Sequence, residues 1–428
     1  MDLRERYDEL VRCNRCGFCQ TACPVFRATG HEAGVARGRI ALLRALVEER
    51  IDWDEELVDP LFACLLCGSC TSNCFPAVET ADLILEARSE YLERVGRGPL
   101  HRLLFDHLLP FPKRLRRAAR VAALGKKTGL SKLARALGLL RVFGRDFSRS
   151  EDMITRFPDK ALREKLPPGL FQGTGTRRIG YFVGCGTDVV CPAAGEASLG
   201  LLRGLGSTVT VLDNCCCGLP PMSYGDRAAS TRLAEKNLEL IGDGVFDLVV
   251  TDCSSCAAFL KKYPSLLGAE HPRHEAAVAF AASVRDLTEV LERVESPRSD
   301  EPTGPNELLV NPGGKTIVTY HDPCHAARGQ GLVQEPREAL RSIAGLEYRE
   351  LPEADWCCGG AGSYALSHYD ISRTVLDRKM DHLERTGANL LVTSCPACII
   401  QLSYGVRKRH LPVRVCHISE VLANRNES

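Results

Sequence analysis

The segment 13–24 reads CNRCGFCQTACP, so two, two and three residues separate its four cysteines and a proline follows the last of them. The same cysteine spacing recurs in the segment 64–74, CLLCGSCTSNC, with Pro76 one residue later than in the first copy. In such a motif the first three thiolates wrap one corner of a [4Fe-4S] cubane, and the fourth points at a neighbouring cluster. The two motifs therefore predict a compact unit that holds two clusters.

The predicted ligand sets cross between the two motifs, because the fourth cysteine of each motif belongs to the other cluster. One set is Cys13, Cys16, Cys19 and Cys74. The other set is Cys64, Cys67, Cys70 and Cys23. Structural zinc in a non-redox protein is the alternative, but zinc ribbons need neither the third closely spaced cysteine nor the final Cys-Pro. The repeated spacing, typical of bacterial ferredoxins, favours iron and sulfide.

Composition limits the class of protein. The chain has 428 residues, 44% of them hydrophobic, and a formal net charge of +1, which indicates neither a disordered chain nor a general nucleic-acid binder. A chain this long can bury its own core, so its 21 cysteines are not needed as disulfides. We see no apolar leader and no apolar run of about 18 residues. We therefore expect a cytoplasmic protein with free thiolates.

Changes in sequence pattern divide the chain into four predicted parts. Residues 1–95 form the two-cluster unit, with an amphipathic helix over 37–49. Residues 96–177 lack cysteines and form a basic helical connector that prolines interrupt. In residues 178–298 and 299–428, β-branched runs alternate with helical segments, which favours βαβ units and a mainly parallel sheet.

The last two parts repeat each other, and we call 178–298 the first half and 299–428 the second half. Three pairs of segments match at an offset of about 140 residues, which chance does not explain. They are 178–185 with 315–324, 247–253 with 389–395, and the closing helices 286–291 with 417–422. We therefore expect two pseudo-symmetric α/β units of three strands and a helix, joined by the polar stretch 295–314. The predicted fold class combines α+β and α/β: a helical ferredoxin-like domain followed by a duplicated α/β domain.

Each half has a cysteine after its first predicted strand, Cys-Cys-Gly after the second and Cys-x-x-Cys after the third. In the first half these cysteines are Cys185, Cys216, Cys217, Cys253 and Cys256. In the second half they are Cys324, Cys357, Cys358, Cys395 and Cys398. The carboxyl ends of parallel strands share one sheet edge, so the five sulfurs of each half should converge. Five thiolates exceed what tetrahedral zinc or a regular cubane needs, which implies an unusual cluster or a spare reactive thiol.

These residues resemble a known family. The Cys-Cys-Gly blocks are similar to the CCG domain of heterodisulfide reductase catalytic subunits. The order of the two modules resembles the iron-sulfur subunit of glycolate oxidase and D-lactate dehydrogenase complexes. The resemblance covers nearly all of the chain outside the connector. It is strongest in segments 16–19, 37–40, 321–324 and 357–366.

The resemblance implies cofactors, partners and a function. Besides two cubane [4Fe-4S] clusters, it implies one or two further [4Fe-4S] clusters of non-cubane type in the CCG domain. It implies an electron-transfer subunit of an oxidoreductase complex, in which an FAD-containing dehydrogenase subunit oxidises glycolate or D-lactate and the electrons go on to a quinone or a membrane carrier. The alternative is a heterodisulfide reductase-like catalytic subunit that reduces a disulfide with Cys357 and Cys358. Both five-cysteine sets are complete, which supports that alternative.

Six further residues near the predicted sites need an interpretation. Cys191 and Cys416 are expected to be small buried hydrophobes, whereas Cys215 could replace one of the two ligands that follow it. Three polar residues surround Cys324: His321, Asp322 and His325. They either orient the ligand and pass protons or, in the interpretation we favour, are hydrogen-bonded structural residues.

The connector segment 111–150 contains twelve lysines and arginines and one acid, Asp146, with apolar residues interleaved at helical spacing. Such a basic amphipathic segment can lie on an anionic membrane surface or on an acidic partner. Equally compatible with the pattern is a pair of surface helices that pack on the core and leave a solvated face. Peripheral contact with the inner face of the cell membrane is the expectation that follows from the first interpretation.

Overall fold

The computed structural model describes residues 3–166, 170–171, 176–242, 245–291 and 315–423. The stretch 295–314, predicted to join the two halves, lies outside the described residues.

The N-terminal domain is helical, and its helices are Tyr7–Val11, Phe18–Ala22, Pro24–Thr29, Ala36–Val47, Glu55–Phe62, Ser69–Ser72 and Thr80–Val95. The predicted amphipathic segment 37–49 corresponds to the helix Ala36–Val47. Its apolar side packs into a core with Leu43, Leu61 and Leu83, all fully buried. Cysteines from both motifs contact the edge of this core, so the core fixes the positions of the two motifs relative to each other.

The connector is also helical, with α-helices Pro99–Arg102, Pro112–Lys127, Leu130–Ala136, Arg145–Ser150 and Leu162–Lys165. Proline is well placed in the first turn of two of them, because its missing N–H has no helical acceptor there. Phe105 and Leu109 bury their side chains in the core of the first half. The guanidinium of Arg116 lies 3.2 Å from the carboxylate of Asp188. The connector therefore lies against the first half.

The sheet of the first half has five strands, and the first of them, Leu170–Phe171, belongs to the segment 96–177 that was predicted to be a helical connector. In chain order its strands are β1 (Leu170–Phe171), β2 (Arg178–Tyr181), β3 (Thr208–Val211), β4 (Leu248–Thr251) and β5 (Val284–Asp286). The spatial order is β1-β3-β2-β4-β5, and all pairs are parallel except β1 with β3. The helices of this half are Cys185–Val189, Pro192–Gly204, Leu219–Ser223, Arg227–Ile241, Ser254–Leu260, Tyr263–Leu267, His274–Ser283 and Leu287–Leu291.

The second half repeats this arrangement with strands β6 (Thr316–Tyr320), β7 (Leu346–Tyr348), β8 (Leu390–Thr393) and β9 (Arg414–His417). The order is β7-β6-β8-β9, and every pair is parallel. Its α-helices are Cys324–Gln330, Gln334–Arg341, Tyr369–Thr386, Pro396–Lys408 and Ile418–Ala423. Without β1, the two sheets have the same strand order, which confirms the predicted duplication.

The prediction of three strands in each half was wrong, because each described half has a fourth parallel strand. These strands, β5 and β9, end at Asp286 and His417, the residues at which the matched closing helices were predicted to begin. Each is only three or four residues long and leads directly into a helix, so it is too short to show the alternation of a strand. The predicted fold class is otherwise confirmed.

The two halves pack on each other through a shared core. Tyr181 and Val250 of the first half lie in one buried cluster with Tyr320 and Val392 of the second. At the centre of the interface the hydroxyls of Ser254 and Ser394 are 2.8 Å apart. Ser254 directly follows the predicted ligand Cys253, and Ser394 directly precedes the predicted ligand Cys395. The two Cys-x-x-Cys segments therefore lie next to each other.

Candidate metal centres

The first two motifs form one cavity, which we call the outer ferredoxin-type site. Its walls include Cys13, Cys16, Cys19 and, from the other motif, Cys74. Cys16 is exposed, whereas the other three are half-buried. The structure thus groups the four thiols of the first crossed set around one space.

Cys23 lies with the second motif in what we call the inner ferredoxin-type site, formed with Cys64, Cys67 and Cys70. Burial raises the pKa of the Cys23 thiol, and the nearby Cys64 and Cys67 raise it further. The pKa of Cys70 is also raised by burial and by the same neighbours, Cys23 included. This is the second crossed set, brought together because Cys23 begins the helix Pro24–Thr29.

The two motifs wind their loops in the same way. The residues before the second cysteine, Arg15 and Leu66, have φ values of +55° and +53°. Gly17 and Gly68, directly after that cysteine, have φ values of +89° and +71°. A left-handed residue on each side of the second cysteine turns its thiol into the site, and glycine adopts this conformation without strain.

The five predicted ligands of the first half converge at the carboxyl ends of its strands, in the first-half site. The Sγ atoms of Cys185 and Cys216 are 4.0 Å apart. Hydrogen bonds from Cys216 and Cys256 lower the pKa of Cys217 to about 5. Cys253 contacts Cys256 in turn. Five cysteines, of which all but Cys185 are buried, form no disulfide among themselves and fit a polynuclear iron-sulfur group.

The second-half site has the same plan. The Sγ atoms of Cys358 and Cys398 are 3.6 Å apart, and Cys357 is hydrogen-bonded to Cys324 and to Cys358. Hydrogen bonds from Cys357 and Cys398 hold the pKa of Cys358 well below its usual value. Cys395 completes the group through Cys398.

The glycine of each Cys-Cys-Gly block is needed for close packing. Gly218 and Gly359 have φ values of +99° and +84°. Each carbonyl accepts a hydrogen bond from a serine on the following helix, Ser230 at 2.9 Å and Ser372 at 2.8 Å. A side chain at Gly359 would place its Cβ 2.6 Å from the carbonyl oxygen of Ser372. These contacts fix the paired cysteines at the sheet edge.

The remaining cysteines have other surroundings. The thiol of Cys215 lies 3.2 Å from Oδ1 of Asn237, a buried amide that also bonds the carbonyl of Cys216. Cys416 is 2% exposed in the strand β9 and belongs to the shared core, as predicted. Cys191 is half-buried, less than the prediction required.

Of the three polar residues near Cys324, two are hydrogen-bonded as predicted. Both carboxylate oxygens of Asp322 accept hydrogen bonds from Arg337, at 2.9 and 2.8 Å. Nδ1 of His325 is 3.0 Å from the hydroxyl of Ser255. His321 differs from these two, since neither ring nitrogen bonds a nitrogen or oxygen atom of the described residues although His321 is 1% exposed. Its polar neighbour is the thiol of Cys358, whose pKa it helps to lower.

Sequence reasoning favoured the structural interpretation of His321, and it missed Lys379 altogether. The ammonium of Lys379 is fully buried, donates to the carbonyls of Glu353 and Ala354, and has its pKa lowered to about 8 by burial. Comparing the halves would have found both residues. His321, three residues before Cys324, occupies the position of Phe182, and Lys379, seven residues after Ser372, occupies that of Asn237.

The four sites form a row that is joined by thiol contacts. The cavity of the outer site includes Cys70 of the inner site. The thiol of Cys67, in the inner site, lies beside that of Cys357 in the second half, and this neighbour together with burial raises the pKa of Cys67. Across the interface between the halves, the thiol of Cys395 lies beside that of Cys253 of the first half, which lowers the pKa of Cys395. The second-half site, remote in sequence, therefore lies next to the ferredoxin-like domain.

Comparison with protein families gives matches over most of the chain. A 4Fe-4S dicluster domain matches residues 9–77, and a cysteine-rich domain matches twice, at 179–261 and 318–403. The linker region of the glycolate oxidase iron-sulfur subunit matches residues 96–154. A probable glycolate oxidase iron-sulfur subunit from Bacillus subtilis is 31% identical over 98% of this chain and 95% of its own length. The chain belongs to the glycolate oxidase iron-sulfur subunit family.

Other relatives also match over most of this chain. The glycolate oxidase iron-sulfur subunit of Escherichia coli is 26% identical over 92% of this chain and 90% of its own length. A CoM/CoB fumarate reductase subunit of Methanothermobacter marburgensis is 27% identical over 97% of this chain and 72% of its own length. The family stated from the sequence is thus confirmed, and the chain is an iron-sulfur protein. Among the described helices, none has the length and apolar character that a membrane span requires.

Proposed function

We propose that this chain is the electron-transfer iron-sulfur subunit of a flavin-dependent dehydrogenase complex for a 2-hydroxy acid, glycolate or D-lactate. The observation that supports it most strongly is the row of four thiol sites. Neighbouring sites contact each other through Cys67 with Cys357 and through Cys395 with Cys253. The names of the glycolate oxidase relatives support the class of substrate.

The ligand sets of the proposal are those predicted from the spacing. The outer and inner ferredoxin-type sites would each hold a cubane [4Fe-4S] cluster, and the two halves would each hold a [4Fe-4S] cluster of non-cubane type. When bound, such clusters supply one-electron transfer. The chain's own residues hold them at fixed positions and exclude water, since eight of the ten half-site cysteines are buried.

We place the FAD-containing dehydrogenase subunit at the outer site. Cys16 is exposed there, and the aromatic side chains of Phe18 and Phe75 are 60% and 87% exposed. They are next in sequence to the proposed ligands Cys19 and Cys74. Large aromatic side chains are the usual anchors of protein interfaces, so this surface suits a partner that must approach the outer site closely.

We place the membrane at the connector, on the cytoplasmic side. Eight apolar side chains between positions 121 and 143 are exposed rather than packed on the core: Val121, Leu124, Leu130, Leu133, Leu137, Leu139, Val142 and Phe143. Apolar residues among lysines and arginines suit the interface of an anionic bilayer. Because the inner side of the connector contacts the first half, electrons leaving the first-half site would be close to a quinone or a membrane carrier.

The membrane contact is tested with vesicles. We expect the holoprotein to float with vesicles that contain phosphatidylglycerol and to float less at high salt. The double variant Val121→Glu and Leu133→Glu should lose binding, whereas the control Phe75→Glu, at the outer ferredoxin-type site, should keep it. Equal recovery of the holoprotein with neutral and anionic vesicles would contradict the placement.

The function is tested by purification and reduction. Tagged protein, isolated anaerobically from its native host, should bring down an FAD protein, and glycolate or D-lactate should then bleach the visible absorption of the iron-sulfur clusters. Phe75→Glu should weaken capture of that subunit without changing the iron content. A colourless preparation, or an iron-loaded one that neither acid reduces in the presence of the captured proteins, would contradict the proposal.

A heterodisulfide reductase-like catalytic subunit is the second candidate, because both five-cysteine sets are present and converge in the structure. In that case the isolated, reduced chain should cleave a small disulfide, and Cys357→Ser or Cys358→Ser should abolish turnover. Absence of turnover by an iron-loaded chain would favour the first function.

A further inference from the structure

At the second-half site, the burial of the His321 imidazole is not explained by hydrogen bonds to the surrounding nitrogen and oxygen atoms. The imidazole is 1% exposed, yet neither ring nitrogen bonds a nitrogen or oxygen atom among the described residues. A buried nitrogen without such a partner costs free energy that most proteins avoid. His325, by contrast, is bonded to Ser255, so the two histidines differ. The ring nitrogens of His321 therefore indicate that the imidazole binds a group other than these residues.

The position of His321 identifies the kind of ligand. One of its ring nitrogens and the Sγ atoms of Cys358 and Cys398 all lie within 4.8 Å of one another. The two sulfurs are 3.6 Å apart, and both belong to the five cysteines of this half. Three donor atoms grouped this closely, all on buried residues, are arranged as ligands of a common metal centre.

The backbone holds His321 at this point. It follows the strand β6, and its N–H donates to the carbonyl of Val392 at 2.9 Å, at the end of the neighbouring strand. In the first half, Phe182 makes the equivalent bond to Val250 at 2.8 Å and is fully buried. The same place in the two halves therefore holds an imidazole in one and an apolar ring in the other.

We infer that His321 is a nitrogen ligand of the second-half cluster, so that the second half binds iron through sulfur and nitrogen and the first half through sulfur alone. The inference rests on the proposed function, since it requires an iron-sulfur cluster in the second half.

Pulsed EPR of the holoprotein tests this directly. Protein with histidine labelled by ¹⁵N, compared with unlabelled protein, should show one strong nitrogen coupling that changes with the isotope. Because Phe182 occupies the equivalent position in the first half, phenylalanine should fit at position 321. The substitution His321→Phe should remove the coupling. His325→Gln should leave it unchanged. Phe182→His should add a second coupling, from the first-half cluster.

The outcomes separate the inference from the proposed function. Iron and sulfide at the level of three clusters or fewer, with no cluster in the second half, would overturn both. A full complement of iron without a histidine nitrogen coupling would overturn the inference alone, as would a coupling that persists in iron-loaded His321→Phe. If His321→Phe does not fold, loss of the coupling in His325→Gln overturns the inference and its persistence there supports it.

Discussion

The two halves have the same strand order and the same five cysteines, but they surround these cysteines with different charges. The first half buries the carboxylate of Asp252, which accepts hydrogen bonds from Tyr181 at 2.7 Å and Thr187 at 2.9 Å. The second half has Ser394 at that position and buries the ammonium of Lys379. A buried cation favours an added electron and a buried anion opposes it, so duplication of the ligands leads to sites of unequal potential.

The halves also differ in their neighbours. The second-half site contacts the inner ferredoxin-type site through Cys357 and Cys67. The first-half site lies under the connector, where the N–H of Cys216 donates to the carbonyl of Leu109 at 3.3 Å. One site is thus in the middle of the row and the other is at its end. Equivalent substitutions in the two halves should therefore have unequal consequences.

The largest expected difference is between Cys357→Ser and its counterpart Cys216→Ser. Each should lose about four irons per chain, because each removes one ligand of a [4Fe-4S] group. Only Cys357→Ser should also leave the first-half cluster slow to reduce through the outer site, since it breaks the contact with Cys67. Iron analysis and anaerobic stopped-flow absorption measure both effects. Equal reduction kinetics in the two variants would mean that the two half-sites have equivalent positions in the row, which would contradict this prediction.

The second largest difference is expected between alanine substitutions of the two Cys-Cys-Gly glycines, in their effect on the free energy of unfolding. Gly359→Ala places a Cβ against a backbone oxygen at 2.6 Å, whereas Gly218→Ala meets a side-chain atom of Phe259 at 3.1 Å and the carbonyl oxygen of Ser230 at 3.3 Å. We expect a loss of unfolding free energy of about 4 kcal/mol for the first and about 2 kcal/mol for the second. Anaerobic denaturant titration of the holoproteins measures this. A larger loss for Gly218→Ala would contradict the packing described.

The difference in buried charge between the two halves can be reduced by a substitution in either half. A unit charge about 10 Å from a cluster, at an effective dielectric constant of about 20, changes the free energy of one-electron reduction by about 1.7 kcal/mol, roughly 70 mV. Lys379→Met should therefore lower the potential of the second-half cluster, and Asp252→Asn should raise that of the first-half cluster. EPR-monitored redox titration separates the two. Shifts in the opposite directions would contradict the electrostatic account.

The smallest effect concerns the serines that bond the glycine carbonyls. Ser230→Ala should cost about 1 kcal/mol of unfolding free energy, and Ser372→Ala about 2 kcal/mol, because the hydroxyl of Ser372 also accepts a bond from Gln401 at 3.0 Å. Thermal unfolding of the two holoproteins checks the order. The reverse order would mean that Gln401 finds another acceptor.

Local spacing was enough to predict the two motifs, their crossed grouping and the convergence of each set of five cysteines. It could not predict which half adjoins the ferredoxin-like domain. That depends on contacts such as the one from the Tyr364 hydroxyl to the Ala63 carbonyl, 2.8 Å long, between residues far apart in the chain. Gly225 packs so closely on the backbone of Arg88 that a side chain would not fit there. The local sequence around neither residue predicts this contact.

The polar residues around the sites were predicted less well for a related reason. A histidine after a strand is hydrogen-bonded in most proteins, and only the burial and the lack of nitrogen or oxygen partners distinguish His321 from His325. Lys379 lies on the helix Tyr369–Thr386 among charged residues, so its burial is not visible in the pattern. Both residues stand out only when equivalent positions of the two halves are compared.

Magnetic coupling between clusters reports directly on the order of the four sites. In the fully reduced holoprotein, the EPR signal of the inner ferredoxin-type cluster should be split by the second-half cluster. Cys357→Ser should remove this splitting, whereas Cys216→Ser should retain it. Retention of the splitting in Cys357→Ser, or its loss in Cys216→Ser, would contradict the order that the structure indicates.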